Sequence, residues 1–86
     1  MIHELKCWPR QFRATAAGEK MFEIRLEGDR HFEIGDEIIL REFDPDTGHF
    51  FLGQYIHLKI TWIERGPSWG LPKDMVVMGI KQIEGR

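Results

Sequence analysis

Between Lys20 and Leu26 the chain alternates apolar and charged positions, and that alternation is its most informative local pattern. Strand side chains point to opposite faces in turn, so Glu23 and Arg25 share one face while Phe22, Ile24 and Leu26 take the other. With the apolar set turned into a core, the charged pair faces outward or lines a cleft. Around this strand, Ile2 to Cys7 reads as a short opening strand, and Pro9 to Ala17 as a helix. Proline suits the first helical turn because it has no amide to leave unbonded, and Gly18 is placed to end the helix in a left-handed cap.

Downstream, residues 27–30 form a turn by composition, and Glu37 to Phe43 is a strongly apolar third strand. Asp44-Pro45-Asp46-Thr47-Gly48 is a turn with Pro early and Gly late. Phe50 to Arg65 returns to strand character, with a break and bulge expected near Gly53. Residues 66–72 are a loop, and Met75 to Ile83 is a last strand, expected to pack against the first. One early helix and closely spaced strands predict an α+β, mainly β fold. This is a small curled sheet or barrel of about five to six strands with the helix at its side or end. The 86 residues make a single domain, 1–86, without repeats or a linker.

Composition narrows the function classes. A single cysteine, Cys7, excludes an internal disulfide framework and a cysteine-built zinc site, and reads as a small buried hydrophobe. The histidines at 3, 31, 49 and 57 are too scattered for metal-ligand spacing, so no metal and no cofactor is expected. No apolar run reaches the length of a membrane span and no signal peptide is visible, which points to a cytoplasmic protein without a membrane partner. The net charge of −2 is unhelpful to a strong nucleic-acid binder, but it is unevenly spread. Residues 31–54 hold Glu33, Asp36, Glu37, Glu42, Asp44 and Asp46 against Arg41 alone. An acidic hairpin at residues 36–46 is therefore a candidate surface for a basic protein partner.

Several short motifs keep a recognisable order: His3-x-Leu5-Lys6, Pro9, Phe12, Gly18-x-Lys20-x-x-Glu23-x-Arg25 and Asp29-Arg30-x-Phe32-x-x-Gly35-Asp36. They are followed by Leu40-Arg41-Glu42-x-Asp44-x-x-Thr47-Gly48 and Gly70-Leu71 with Val76-Val77-x-Gly79-Ile80. Over nearly the whole chain these resemble the ASCH domain, and more narrowly its small bacterial and phage branch labelled DUF3850. The resemblance implies a PUA-like pseudo-barrel with the early helix beside a cleft, and binding of RNA or a nucleobase-bearing ligand there. Some ASCH-like proteins resemble amidohydrolases of N4-acetylcytidine that use a lysine, a threonine three residues on and a distant glutamate. Lys20 matches the lysine, the threonine position holds Glu23, and Glu64 is a candidate for the distant glutamate. The usual hydroxyl nucleophile is therefore missing.

The candidate ligand-binding residues are Lys20, Glu23, Arg25, Arg30 and Trp69. Lys20 supplies a cation for phosphate or carbonyl, against the plain reading of a solvated lysine after a helix cap. Glu23 can accept from an exocyclic amine and Arg25 can donate to paired acceptors, against the plain reading of a mutual ion pair. Trp8 and Trp69 are the candidates for stacking on a base, and Trp69 is the better one, because a loop rich in Gly and Pro otherwise has little reason to display an indole. Trp8 reads as a core or helix-start residue and Trp62 as core. Asp29 and Gly35-Asp36 read as turn structure, with Arg30 left to face the cleft. His31, His49 and His57 receive no chemistry. The leading expectation is an RNA- or nucleotide-binding domain. One rival is a hydrolase of N-acylated cytidine in which Lys20 and Glu23 activate water, and another is a protein-docking module using the acidic hairpin.

Overall fold

A computed structural model describes residues 1–28 and 30–83. The elements run β1 (Ile2–Cys7), α1 (Pro9–Ala16), β2 (Phe22–Leu26), β3 (Glu37–Asp44), β4 (His49–Arg65), a short 3-10 turn (Ser68–Gly70) and β5 (Met75–Gln82). The expected elements are all present, and the five strands form one mixed sheet curled into a half-barrel.

The order across the sheet is β1-β3-β4-β5-β2. β1 pairs with β3 in parallel, from Ile2 opposite Glu37 to Cys7 opposite Glu42. All other neighbours are antiparallel. The last strand therefore does not lie beside the first, as expected from the sequence; β5 sits between β4 and β2. The intervening α1 and β2 carry the chain away between the parallel partners β1 and β3, as a parallel crossover requires. The two edges of the sheet are β1 and β2.

Alternating side chains fill the concave face. Leu5 and Cys7 on β1, Ile38 and Leu40 on β3, and Val76 and Met78 on β5 are buried, with Phe12 of α1 and Phe32 closing over them. On β4, Ile56, Leu58 and Ile60 point inward, and then the pairing slips by one residue between Ile60 and Trp62. A bulged residue moves every later side chain to the other face. Ile63 consequently packs on the core and Trp62 points out, which reverses the sequence expectation for Trp62. The other expected break is also present. Arg41 pairs with Tyr55 but Phe43 with Phe50, so the extra β4 residues loop out around Gly53, whose φ is 73°.

The larger correction concerns β2. Glu23 is buried, with 3% of its surface exposed, while Phe22, Ile24 and Leu26 are 42%, 50% and 66% exposed. The charged side of this strand faces the interior and the apolar side faces outward. Register explains the inversion: Glu23 pairs with Met78 and Arg25 with Val76, and both partners are inward residues of β5.

Candidate functional site

The helix end positions the first functional side chain. Gly18, at φ 78°, lets the Glu19 amide donate to the Ala14 carbonyl at 2.9 Å and its own amide to the Thr15 carbonyl at 3.0 Å. This pair of bonds is a Schellman cap, which needs a residue that tolerates the left-handed region. The Lys20 amide also donates to Ala14 at 3.1 Å. The chain turns sharply there, and Lys20 reaches forward over the start of β2.

Lys20 Nζ donates to Glu23 Oε2 at 2.8 Å and to the Phe22 carbonyl at 2.7 Å. From the other side, Arg25 Nε and Nη2 donate to Glu23 Oε1 at 3.2 and 3.0 Å. Both carboxylate oxygens are thus held by cations, which is the condition under which a carboxylate can be buried. Arg25 Nη2 reaches further and donates to the Lys6 carbonyl on β1 at 2.8 Å. The site lies where the half-barrel stays open, between its two edge strands.

The cleft there has a volume of about 510 Å³ and is lined by Lys6, Cys7, Trp8, Gln11 and the β2 and pre-β2 residues Lys20, Phe22, Glu23, Ile24 and Arg25. That volume is in the range of small-ligand sites. Two cations, Lys20 and Arg25, line it against the one carboxylate of Glu23, so the cleft is positive in a chain that is negative overall, while the Lys6 ammonium sits over the Phe43 ring. Cys7 is a buried part of its lining. Burial pushes its thiol up to about 11, with Glu23 adding to the rise, Lys20 and Arg25 opposing it and Glu42 contributing. It is a packed thiol and not a poised nucleophile.

Trp8 is exposed at the mouth of the cleft. It is the N-cap of α1, held extended at φ −68° and ψ 154° before Pro9. The Trp-Pro pair carries the signal: a residue before proline is driven out of helical conformation, so the indole stands at the helix start instead of on a packed face. The sequence reading placed Trp8 at the helix start, as found, and ranked it below Trp69 for stacking; of the two, Trp8 is the one that lines the cleft. Gln11 and Lys6 are further lining residues that no local pattern distinguished from surface polar residues.

Of the five candidates, the fold brings Lys20, Glu23 and Arg25 together and leaves Arg30 and Trp69 elsewhere. Arg30 borders a separate shallow depression with Met1, His3 and His31. Trp69 donates its indole N–H to Glu64 Oε1 at 2.9 Å, and Trp62 donates to Oε2 of the same carboxylate at 2.7 Å. Glu64 therefore serves two tryptophans outside the cleft and does not stand in for the distant glutamate of a hydrolase. Asp29 lies outside the described residues.

The acidic segment is largely committed to internal partners. Asp36 accepts from His3 Nε2 at 2.8 Å, Glu37 is bonded to His57 at 2.6 Å, and Glu42 is buried with Arg13 at 3.9 Å. Asp44 accepts the Asp46 amide at 2.9 Å within the turn. Among the described residues, no cluster of three or more His, Cys, Asp or Glu side chains is arranged to hold a metal ion, and no helix is long and apolar enough to cross a membrane.

The family model for a domain of unknown function, DUF3850, matches residues 2–80, and the chain belongs to that family. No curated protein matches the chain.

Proposed function

We propose that this DUF3850 protein binds a nucleotide, free or as a unit of single-stranded RNA, in the cleft between β1, α1 and β2. The observation that carries the reading is the buried Glu23 gripped by Lys20 and Arg25 beside an exposed indole, Trp8. Two cations held in place by one carboxylate keep a net positive charge for a phosphate, and they lose little freedom when it arrives. An exposed indole offers a base a face to stack on. The half-barrel with its early helix beside the cleft also supports placing the family among ASCH, PUA-like domains.

A second reading, hydrolysis of an N4-acylated cytidine, is favoured by the 2.8 Å contact between Lys20 and Glu23. It ranks lower because Glu23 already accepts three donors and must release one before it takes a proton. Docking of a basic protein on the acidic hairpin ranks third, since Asp36, Glu37 and Glu42 are spent inside the fold.

The test is an amide and indole chemical-shift titration with cytidine 5′-monophosphate, N4-acetylcytidine and a short single-stranded RNA. Shifts at Trp8, Lys20, Glu23 and Arg25 are expected, with steeper salt dependence for RNA than for the mononucleotide. Deacetylated product would promote the hydrolase reading. Silence of these residues with all three ligands overturns the cleft as a nucleotide site.

A further inference from the structure

The bulge that turns Trp62 outward also builds a second aromatic surface, on the convex face of the sheet. Trp62 pairs with Gly79 and Gly79 with Phe22, so the three form one row across β4, β5 and β2. Gly79 lies between inward Met78 and Ile80 and therefore belongs to the outer face. At the usual strand spacing Phe22 and Trp62 stand about 10 Å apart, with no side chain of β5 between them. The floor above Gly79 is bordered by Thr61 Oγ1, 3.0 Å from where a Cβ would sit. Phe22 also lines the cleft, so the row starts where the cleft ends.

Charge is divided across this face. On one side of the row Lys59 lies directly opposite Lys81, and both are exposed. Like charges so placed repel each other, and an anion between them relieves the repulsion. Glu37, the neighbour of Lys59 on β3, is bonded to His57 instead. Lys20, whose Nζ lies 4.8 Å from the Phe22 ring centroid, continues the cationic side to the cleft. On the other side of the row Glu64 accepts one indole N–H from Trp62 and one from Trp69. These bonds fix both indoles at an edge and leave much of their surface open: Trp62 is 59% and Trp69 79% exposed. Trp69 is held at φ 61°, a left-handed conformation that a bulky residue adopts only at a cost.

We infer that this face binds single-stranded RNA, with the nucleotides next to the one held in the cleft crossing β2, β5 and β4. Their bases stack on Phe22, Trp62 and Trp69, and their phosphates lie on the side of Lys59 and Lys81. Aromatic platforms beside a cationic track suit an unpaired strand, because every base has a face to stack and every phosphate a charge. Glu64 stands on the base side of the row, where its remaining lone pairs accept from exocyclic amines. Resting on the cleft as a nucleotide site, this path selects a strand over a free nucleotide as the ligand.

Isothermal titration of the full chain with cytidine 5′-monophosphate and with a cytidylate hexamer is the test. Affinity should rise about ten-fold or more from mononucleotide to hexamer. Trp62→Ala should weaken the hexamer about five-fold or more and leave the mononucleotide unchanged. Trp62→Phe, which keeps a ring and loses the bond to Glu64, should recover most of that loss. Lys59→Gln combined with Lys81→Gln should lower the hexamer's salt slope by about 0.7 for each lysine engaged. All three side chains are exposed, so circular dichroism of the variants should match the native spectrum. A hexamer that binds no tighter than the mononucleotide overturns the path and leaves the cleft standing. So does a hexamer whose affinity and salt slope ignore every variant; a dimer that Trp62→Ala then breaks in sedimentation gives the face to a second copy. Hexamer binding that needs Trp62 while the mononucleotide stays unbound supports the face and sinks the cleft. Absence of binding by either ligand overturns both.

Discussion

The Arg25 guanidinium donates to the Lys6 carbonyl at 2.8 Å, and the bond joins the two edge strands of a sheet that does not close on itself. The same guanidinium supplies two of the three hydrogen bonds to buried Glu23. One side chain thus spans the open seam and neutralises the carboxylate beside it.

Replacing Arg25 should therefore cost more than a surface ion pair does. Arg25→Ala leaves Glu23 with Lys20 alone and opens the seam, and a loss of about 1–3 kcal/mol is expected. Arg25→Lys should recover only part of it, because an ammonium cannot serve Glu23 and the Lys6 carbonyl with the same fork geometry. Urea unfolding of the two variants checks the order.

Trp8 and Trp69 should separate under mutation. A stacked base contributes about 1–3 kcal/mol, so Trp8→Ala should weaken binding of cytidine 5′-monophosphate about five-fold or more. Trp69→Ala should leave that affinity unchanged, since its indole is bonded to Glu64 outside the cleft. Isothermal titration of both variants is the measurement, and equal losses would sink the stacking role of Trp8.

Two carboxylates should dominate acid unfolding. Hydrogen bonding from Arg65, against some cost of burial, holds Glu27 below its ordinary value of 4.5. For Asp36 burial pushes upward, but bonds from His3, the Glu33 amide and the terminal ammonium outweigh it and leave the group below 3.8. A depressed folded pKa contributes stability above the ordinary carboxylate value, and that stability is lost as pH falls through the folded one. Urea midpoints should drop steeply below about pH 4.5. Asp36→Asn should flatten part of that slope while lowering stability at neutral pH.

Cys7 should resist alkylation in the folded state. Its thiol, raised from 9.0 to about 11, is largely protonated at pH 8 and lies in the core. Labelling by iodoacetamide should be slow natively and fast in urea. Because the unfolded thiol ionises first, stability should decline as pH rises from about 9 to about 11.

Much of the local structure was legible in the chain. Pro9 and Gly18 bracket the helix because each suits one helix end, and residues 44–48 turn where Pro and Gly allow it. The grouping of Lys20, Glu23 and Arg25 was legible as well, since sequence neighbours on one short strand stay neighbours. Trp8 was ranked below Trp69 because nothing local says that the sheet stays open beside the helix start. Trp62 was misjudged because a one-residue bulge at Thr61, invisible in the composition of β4, reverses every face after it.

By itself, then, the sequence determined where elements begin and end, which turns join them and which charged groups share a face of β2. Those features depend on backbone preferences acting over a few residues. Tertiary structure alone decided that β5 separates β4 from β2, that the charged face of β2 is the inner one, and that Trp8 overlooks the cleft while Trp69 does not. Alternation has two equivalent settings, and a strand cannot choose between them without neighbours. On β2 the choice falls to its pairing with the inward Val76 and Met78, and two cations beside Glu23 make the buried charge tolerable.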